Sequence, residues 1–334
     1  MIKKIIRDYL NLPFSDTLEE HAFHIHTAYK GFFKSFGSKN ADKVFYVIWL
    51  DKGSGFFSNL SAVLCHIDIA IKGGMIPVVD FQNFKTLYNT GKIEDTANAW
   101  EYYFEPVSPY SLEEVYQSKN VFFCEGKYPD GYEYSVTNIP GIKQIYDQYI
   151  VLKPAIEEQI LQYQTSDLLG IHFRGQEFKI APGHYFPPTE KQMIKYTDKA
   201  LSEYGINQIF LVTEEKAYLD LFVKRYGKLV LYTNAYRTYN VNAYNQSPRD
   251  NHRFLLGKEV LIDALLLARC KGLVCGDSNV SEFAQFTGNH KFVYRIWNGV
   301  NSSNRLLARY LYRIKKNITG FKVDFKVITP SEKN

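Results

Sequence analysis

Apolar and polar positions fall in blocks along the chain. Lys43–Leu50 (KVFYVIWL) is a near-continuous apolar run rich in aromatic and β-branched residues, the pattern of a strand buried on both faces. A glycine-rich turn follows at Asp51–Asn59 (DKGSGFFSN). A helical pattern then runs over Leu60–Lys72, closed by Gly73-Gly74, and a second strand follows at Met75–Asp80. Strand, glycine turn, helix and strand make one βαβ unit. Residues 1–40 read as an aromatic, partly helical lead-in. Residues 81–150 carry aromatic loops such as Trp100–Pro106 and one clear strand at Asn120–Cys124. Lys153–Gln164 reads as a helix leading into a second domain.

The second half alternates more cleanly. Strands are expected at Leu168–His172, Gln208–Val212, Lys228–Tyr232 and Gly272–Cys275. Between and after them come helices at Thr189–Tyr204, with Thr189 as cap, Glu214–Tyr226, Gly257–Cys270 and Asn279–Phe286. A polar, Asn- and Tyr-rich loop fills Thr233–Arg253. Repeated strand and helix imply an α/β fold with a doubly wound parallel sheet. Two such halves facing across a cleft are the expected architecture, with domains at 1–150 and 151–300 and a C-terminal helix and tail at 301–334. In that tail, Asn304–Ile318 is amphipathic: Leu307, Leu311, Ile314 and Ile318 share one stripe, and Arg305, Arg309 and Arg313 another. The ordinary reading is an apolar stripe packed on the protein with a solvated basic face. The other is peripheral contact with an anionic membrane.

Bulk properties narrow the class. A length of 334 residues is ample for a large core and suggests about two domains. Aromatic content is high at 16%, which suits sugar contacts as well as cores. A net charge of +5 favours anionic ligands but is too small to argue for nucleic acid, so no nucleic-acid partner is expected. Cys65, Cys124, Cys270 and Cys275 sit in or beside apolar runs without zinc or CxxC spacing, which reads as reduced, buried thiols. Met1–Leu10 lacks the apolar core of a signal peptide, and no run is long enough to span a bilayer. A cytoplasmic location is therefore expected, at most peripheral at the inner face of the membrane. The sequons at Asn59, Asn279, Asn301 and Asn317 then carry no meaning.

Candidate chemistry gathers at the carboxyl ends of the second-half strands. The strand of Leu168–Ile171 breaks at once into His172, Arg174, Gly175 and Glu177. A buried parallel strand ending in charge opens onto the crevice where α/β sheets bind ligands. Arg174 offers a planar fork of donors for phosphate oxygens, and Gly175 is expected to leave the backbone uncovered for a ligand's approach. Thr213-Glu214-Glu215 ends the next strand. Gly276–Ser281 (GDSNVS) opens a helix with Ser and Asn at cap positions, a second anion site. Asp263, inside the apolar helix stretch Val260–Ala268, is either an ion-pair partner or an acceptor for two N–H groups such as guanine presents. The Asp51–Asn59 turn lacks the Gly-Lys-Ser/Thr ending of a P-loop and the dinucleotide fingerprint, yet it could still offer backbone N–H groups to an anion. No D-x-D pair is present, so charge neutralisation by arginine without metal fits the residues better.

These motifs carry a resemblance. HFRGQEFK, then PGHYFPP, LVTEE and GKEVLIDALLLARCKGLVCGDSNVSEFA resemble the bacterial branch of the α1,6- and O-fucosyltransferase superfamily, over residues 43–295. The family's H-x-R-x-x-[D/E] signature is matched by His172, Arg174 and Glu177, and KGSGFFSNL and NAWEYYFEPV resemble parts of its N-terminal half. The resemblance implies a GT-B fold of two Rossmann-type domains, the first on the acceptor side. It also implies a GDP-sugar donor as substrate, inversion at the anomeric carbon, and neither cofactor nor metal. By position it implies that Arg174, beside His172, holds the diphosphate. Asp263 would hold the guanine, Ser278, Asn279 and Ser281 would close on the phosphates, and Gly53 and Gly55 would line the donor side. The chain departs from the family in having Gly175 where the nodulation enzymes carry a second adjacent arginine, and Glu for Asp at the acidic position.

The expected activity is thus transfer of fucose or a related sugar to a glycan or lipid-linked oligosaccharide in bacterial surface polysaccharide synthesis. Glu177, His184 and Glu190 are the candidates for the base that deprotonates the acceptor hydroxyl. A GDP-heptose donor on the same fold, or a sugar-nucleotide- or glycan-binding protein without turnover, are the alternatives. An NAD-linked oxidoreductase is disfavoured, because G-x-G-x-x-G follows neither leading strand.

Overall fold

The computed structural model describes residues 30–51, 54–133, 135–239 and 241–316, with side chains throughout except at 176 and 177. The chain divides into two compact units. The first holds the described residues up to Glu157 together with Asn251–Gly257. The second holds Glu158–Asp250 and the residues from Lys258 onward, so the C-terminal helix is counted within it.

The first unit carries strands β1 (Gly31–Lys34), β2 (Phe45–Ile48), β3 (Ile76–Val79) and β4 (Val121–Cys124) in the order β1-β4-β2-β3. β2 runs parallel to both β3 and β4, with Phe45 opposite Ile76 and Val121. β1 pairs antiparallel with β4, so this sheet is mixed rather than wholly parallel. All four residues of β2 and of β4 are buried, which is why both read as unbroken apolar runs. Helix α1 (Phe56–Lys72) begins four residues before the expected Leu60. Phe56 and Phe57 are its first buried residues, and Phe56 meets Tyr88 and Tyr103 edge-on. Short helices α2 (Leu112–Val115) and α3 (Ile142–Tyr149) follow, and α4 (Pro154–Leu161) leads out of the unit.

The second unit is built on β5 (Leu169–His172), β6 (Ile209–Val212), β7 (Val230–Leu231), β8 (Gly272–Gly276) and β9 (Phe292–Ile296). Their order is β7-β6-β5-β8-β9, parallel throughout. Helices α5 (Glu190–Tyr204), α6 (Lys216–Tyr226), α7 (His252–Arg269), α8 (Asn279–Thr287) and α9 (Arg305–Ile314) complete it, except that the His252–Gly257 start of α7 belongs to the first unit. Counted from β5, the order is 3-2-1-4-5, the doubly wound arrangement, whose winding reverses between β5 and β8. α5 carries a full capping box: Thr189 accepts from Gln192 N and the Gln192 side chain accepts from Thr189 N. The core joins Leu169, Ile171 and Phe173 to Leu211, Phe222 and Ile296. Phe173 lies flat on Tyr218, ring centroids 3.7 Å apart.

The C-terminal helix corrects an expectation. α9 is packed on the protein through Ala308 and Tyr312, whereas Leu306, Leu307, Tyr310 and Ile314 are exposed. The leucine stripe therefore faces away from the protein, with Leu311 half-buried at its margin. Ile318 lies outside the described residues. Tyr312 is held by Phe186, with ring centroids 5.8 Å apart, and by Lys179, whose Nζ is 5.4 Å above the ring. No described helix is long and apolar enough to cross a membrane.

Candidate active site

A sheet wound in both directions from its centre cannot cover the gap beyond the carboxyl ends of the two strands where the winding reverses. In the second unit those strands are β5 and β8, and they pair so that His172 stands beside Cys275. Two groups named from the sequence, His172 and Ser278, meet there. His172 is buried, and its Nδ1 lies 3.2 Å from Ser278 Oγ. Burial, and then the charge of Arg174, push the imidazole down to about 3, so it is neutral at any ordinary pH. It ties the end of β5 to the first turn of α8.

Ser278 caps α8 by accepting from Ser281 N at 3.2 Å. Ser281 itself is 1% exposed, and its hydroxyl donates to the carbonyl of Gly276 at 2.7 Å. Its expected part in closing on phosphates gives way to a structural one, since the hydroxyl is already used within the turn. Asn279 is the exposed first residue of the helix. Asp277 is paired with Arg295, which keeps that carboxylate off the helix tip.

Arg174 follows two residues after β5. Its guanidinium lies over the Phe178 ring, 4.0 Å from the centroid, and its Nε sits 3.6 Å from Glu214 Oε1. That separation is too long for a hydrogen bond, and the buried Nε–H has no hydrogen-bond partner among the described residues. A buried donor left unmade in a crevice is a place for an acceptor on a ligand. Gly175 does not leave the backbone open as expected. Its N–H donates to Glu214 Oε1 at 3.0 Å, and a Cβ at this position would lie 2.5 Å from the same oxygen. A neighbouring carboxylate, rather than a ligand, comes close to this backbone. Of Glu177 only the backbone is described, in the tight turn Gln176–Lys179.

The loop after this turn folds back over the switch point. Pro188 packs against Gly276, where a Cβ would lie 2.5 Å from the ring's Cδ. Tyr185 pairs with Val300, the Gly183 N–H donates to Ser302 O, and the Asn301 N–H donates to His184 O. The buried Asn301 side chain reaches the carbonyls of Ala181 and Ala308 at 3.2 and 3.1 Å, fixing loop and α9 together. The sequence pattern holds no sign of this role beyond a polar residue among small ones. His184 is exposed and edge-on to Phe178 at 5.0 Å. Partial burial and the Arg174 charge lower its pKa, which leaves it neutral and able to accept a proton. Glu190, the third candidate base, is an exposed first-turn residue of α5.

At the edge of the sheet, Asp263 on α7 is 4% exposed and accepts from the Thr233 hydroxyl at 2.6 Å, just beyond β7. Thr233 was not singled out from the sequence, although its place after a strand's carboxyl end was the available signal. Burial pushes the Asp263 carboxyl up to about 6, against the pull of Thr233 and Arg237. The folded chain therefore keeps this proton to about pH 6, whereas an unfolded aspartate releases it near 3.9. The contribution of this carboxyl to stability should be full below about pH 4 and be lost as pH rises from there to about 6, by on the order of 2–3 kcal/mol. Asp263→Asn is expected to remove that loss. Thermal melts of both proteins at pH 4.5 and 7.5 read the difference, and equal pH slopes would refute it.

In the first unit, Gly55 precedes α1 with extended backbone and open space where a Cβ would stand. Gly53 lies outside the described residues. Among the described residues, no group of three or more His, Cys, Asp or Glu could hold a metal ion.

Two compact α/β units, one on a 3-2-1-4-5 parallel sheet with polar groups at its switch point, define a GT-B-like fold. No family model matches the chain, and no curated protein matches it in sequence. Solved structures do. NodZ alpha-1,6-fucosyltransferase soaked with GDP-fucose superposes with a TM-score of 0.51 at 14% identity, covering 86% of this chain and 99% of that one. The same enzyme co-crystallised with GDP gives 0.50 at 15% identity, over 77% and 96%. Selenomethionine fucosyltransferase NodZ from Bradyrhizobium gives 0.50 at 14%, over 78% and 98%. At such identities the likeness is one of fold.

Proposed function

We propose that this chain is an inverting glycosyltransferase that uses a GDP-sugar, with fucose or a related deoxyhexose as the group transferred to a glycan or lipid-linked oligosaccharide. The observation that carries the reading is the buried Nε–H of Arg174, without a hydrogen-bond partner among the described residues and two residues after β5, whose last residue His172 meets the Ser278-capped tip of α8. A fixed cation and a helix N-terminus in one crevice suit a diphosphate. The fold shared with a fucosyltransferase soaked with GDP-fucose supports the choice of donor class.

The chemistry follows from charge. The acceptor oxygen attacks the anomeric carbon while the bond from that carbon to the β-phosphate oxygen breaks, and the electron pair leaves with GDP. Arg174 and the α8 N–H groups stabilise the growing negative charge without requiring a metal. His184, neutral at pH 7, takes the proton of the acceptor hydroxyl; Glu177 and Glu190 are the other candidates for that role. Asp263, with Thr233, is the candidate for the guanine N–H groups.

A thermal-shift series with GDP, UDP, CMP and NAD tests this. At about 100 times its dissociation constant, a ligand adds roughly 2.7 kcal/mol to stability. GDP alone should raise the melting temperature, and EDTA should leave any transfer activity intact. Stabilisation by UDP or NAD in place of GDP would sink the donor assignment.

A further inference from the structure

From the geometry of α9 we infer that the second unit docks onto an anionic lipid surface through this helix. At 100° per residue, Ala308 and Tyr312 mark the side turned to the protein. Leu306, Leu307, Tyr310 and Ile314 lie on the far side, with Leu306 70% and Tyr310 61% exposed. A helix in a globular protein normally turns its widest apolar arc inward. Here the small and the hydroxylated residue go in, and the aliphatic arc goes out. Arg305, Arg309, Arg313 and Lys316 line one border of that arc. The occupant is named by charge. No Asp or Glu occurs between Glu282 and Asp324, whereas Lys291, Arg295, the three arginines of α9, Lys315, Lys316 and Lys322 all do.

An aliphatic arc bordered by arginine and bare of acid matches the boundary between acyl chains and anionic headgroups. A protein partner of neutral charge would have no use for the bordering arginines. Docking there also has a geometric consequence for the site. Tyr312 rests on Phe186, two residues from His184, and Asn301 bonds both α9 and the loop. The surface that α9 touches would therefore lie close to the loop that meets an acceptor.

The test is flotation of the full chain with vesicles of phosphatidylcholine alone, or with about a third phosphatidylglycerol. The protein should float with the anionic vesicles at low salt and lose binding as salt rises. Leu307→Asp with Ile314→Asp, both at exposed positions, should weaken partition at least about tenfold. Arg309→Gln and Arg313→Gln should each weaken it about fivefold. Failure to float, equal binding to both vesicle types, or indifference to the Leu307/Ile314 pair would each overturn the inference. So would a dimer in gel filtration that the same pair converts to monomer without any vesicle binding, because the arc would then belong to a second copy of the chain. None of these readouts depends on the donor or on turnover.

Discussion

Arg174→Ala is expected to slow sugar transfer by about 100- to 1000-fold and to abolish most of the stabilisation by GDP. The size follows from the usual effect of deleting one preorganised donor aimed at charge that develops in the transition state. The residue is well placed for such a role. Phe178 supports the guanidinium from one side, and Glu214 is near enough to orient it but too far to consume its Nε–H. Its charge is shared with both neighbours, but its Nε–H is left for a ligand. Arg174→Lys should recover part of the GDP affinity and little of the rate, because an ammonium keeps the charge and loses the planar fork. Steady-state kinetics with GDP-fucose as donor, set beside GDP titrations, separate the two effects. A loss of less than about threefold in both would mean that the crevice at β5 and β8 is not where the diphosphate sits.

Phe173→Ala should cost about 3–5 kcal/mol of stability, the range for emptying a fully buried aromatic site. Phe173 is sealed from solvent, lies flat on Tyr218 and meets Phe222 edge-on. The cavity would open between β5 and α6, where both partners are themselves packed on the sheet and have little room to collapse inward. Such a loss is a large part of what a folded domain ordinarily possesses. Because Phe173 sits between His172 and Arg174, the same change should also loosen the crevice. Urea unfolding of the two proteins measures the first effect. A midpoint within error of the parent would mean that the stacked pair contributes far less than its burial implies.

How much of this the sequence carries depends on the element. β2, β5, β6 and β8 are legible because parallel strands covered on both faces must be apolar at nearly every position. β1 was not, since its Gly31–Lys34 residues are only partly covered and lie in an aromatic stretch without periodicity. β9 escaped the reading, although Phe292–Ile296 is apolar but for Arg295. Polar residues at strand ends bring His172 and Ser278 together, because all carboxyl ends of a parallel sheet share one edge. What each neighbour does there was not legible. Gly175 looked like an opening and is filled by Glu214, and Ser281 looked like a ligand and is turned inward. α9 shows the limit most plainly. Periodicity assigns residues to a face of a helix, but it cannot say which face the rest of the chain will cover.

The buried amide of Asn301 bears on how the protein should be made. Asn301-Ser302-Ser303 and Asn59-Leu60-Ser61 both satisfy the acceptor rule for N-linked glycans, yet both asparagines are buried in the folded chain. A secretory expression host that decorates nascent chains would reach them before folding completes. A glycan on Asn301 would then take the nitrogen that bridges Ala181 to Ala308, and material from such a host would carry a misassembled loop.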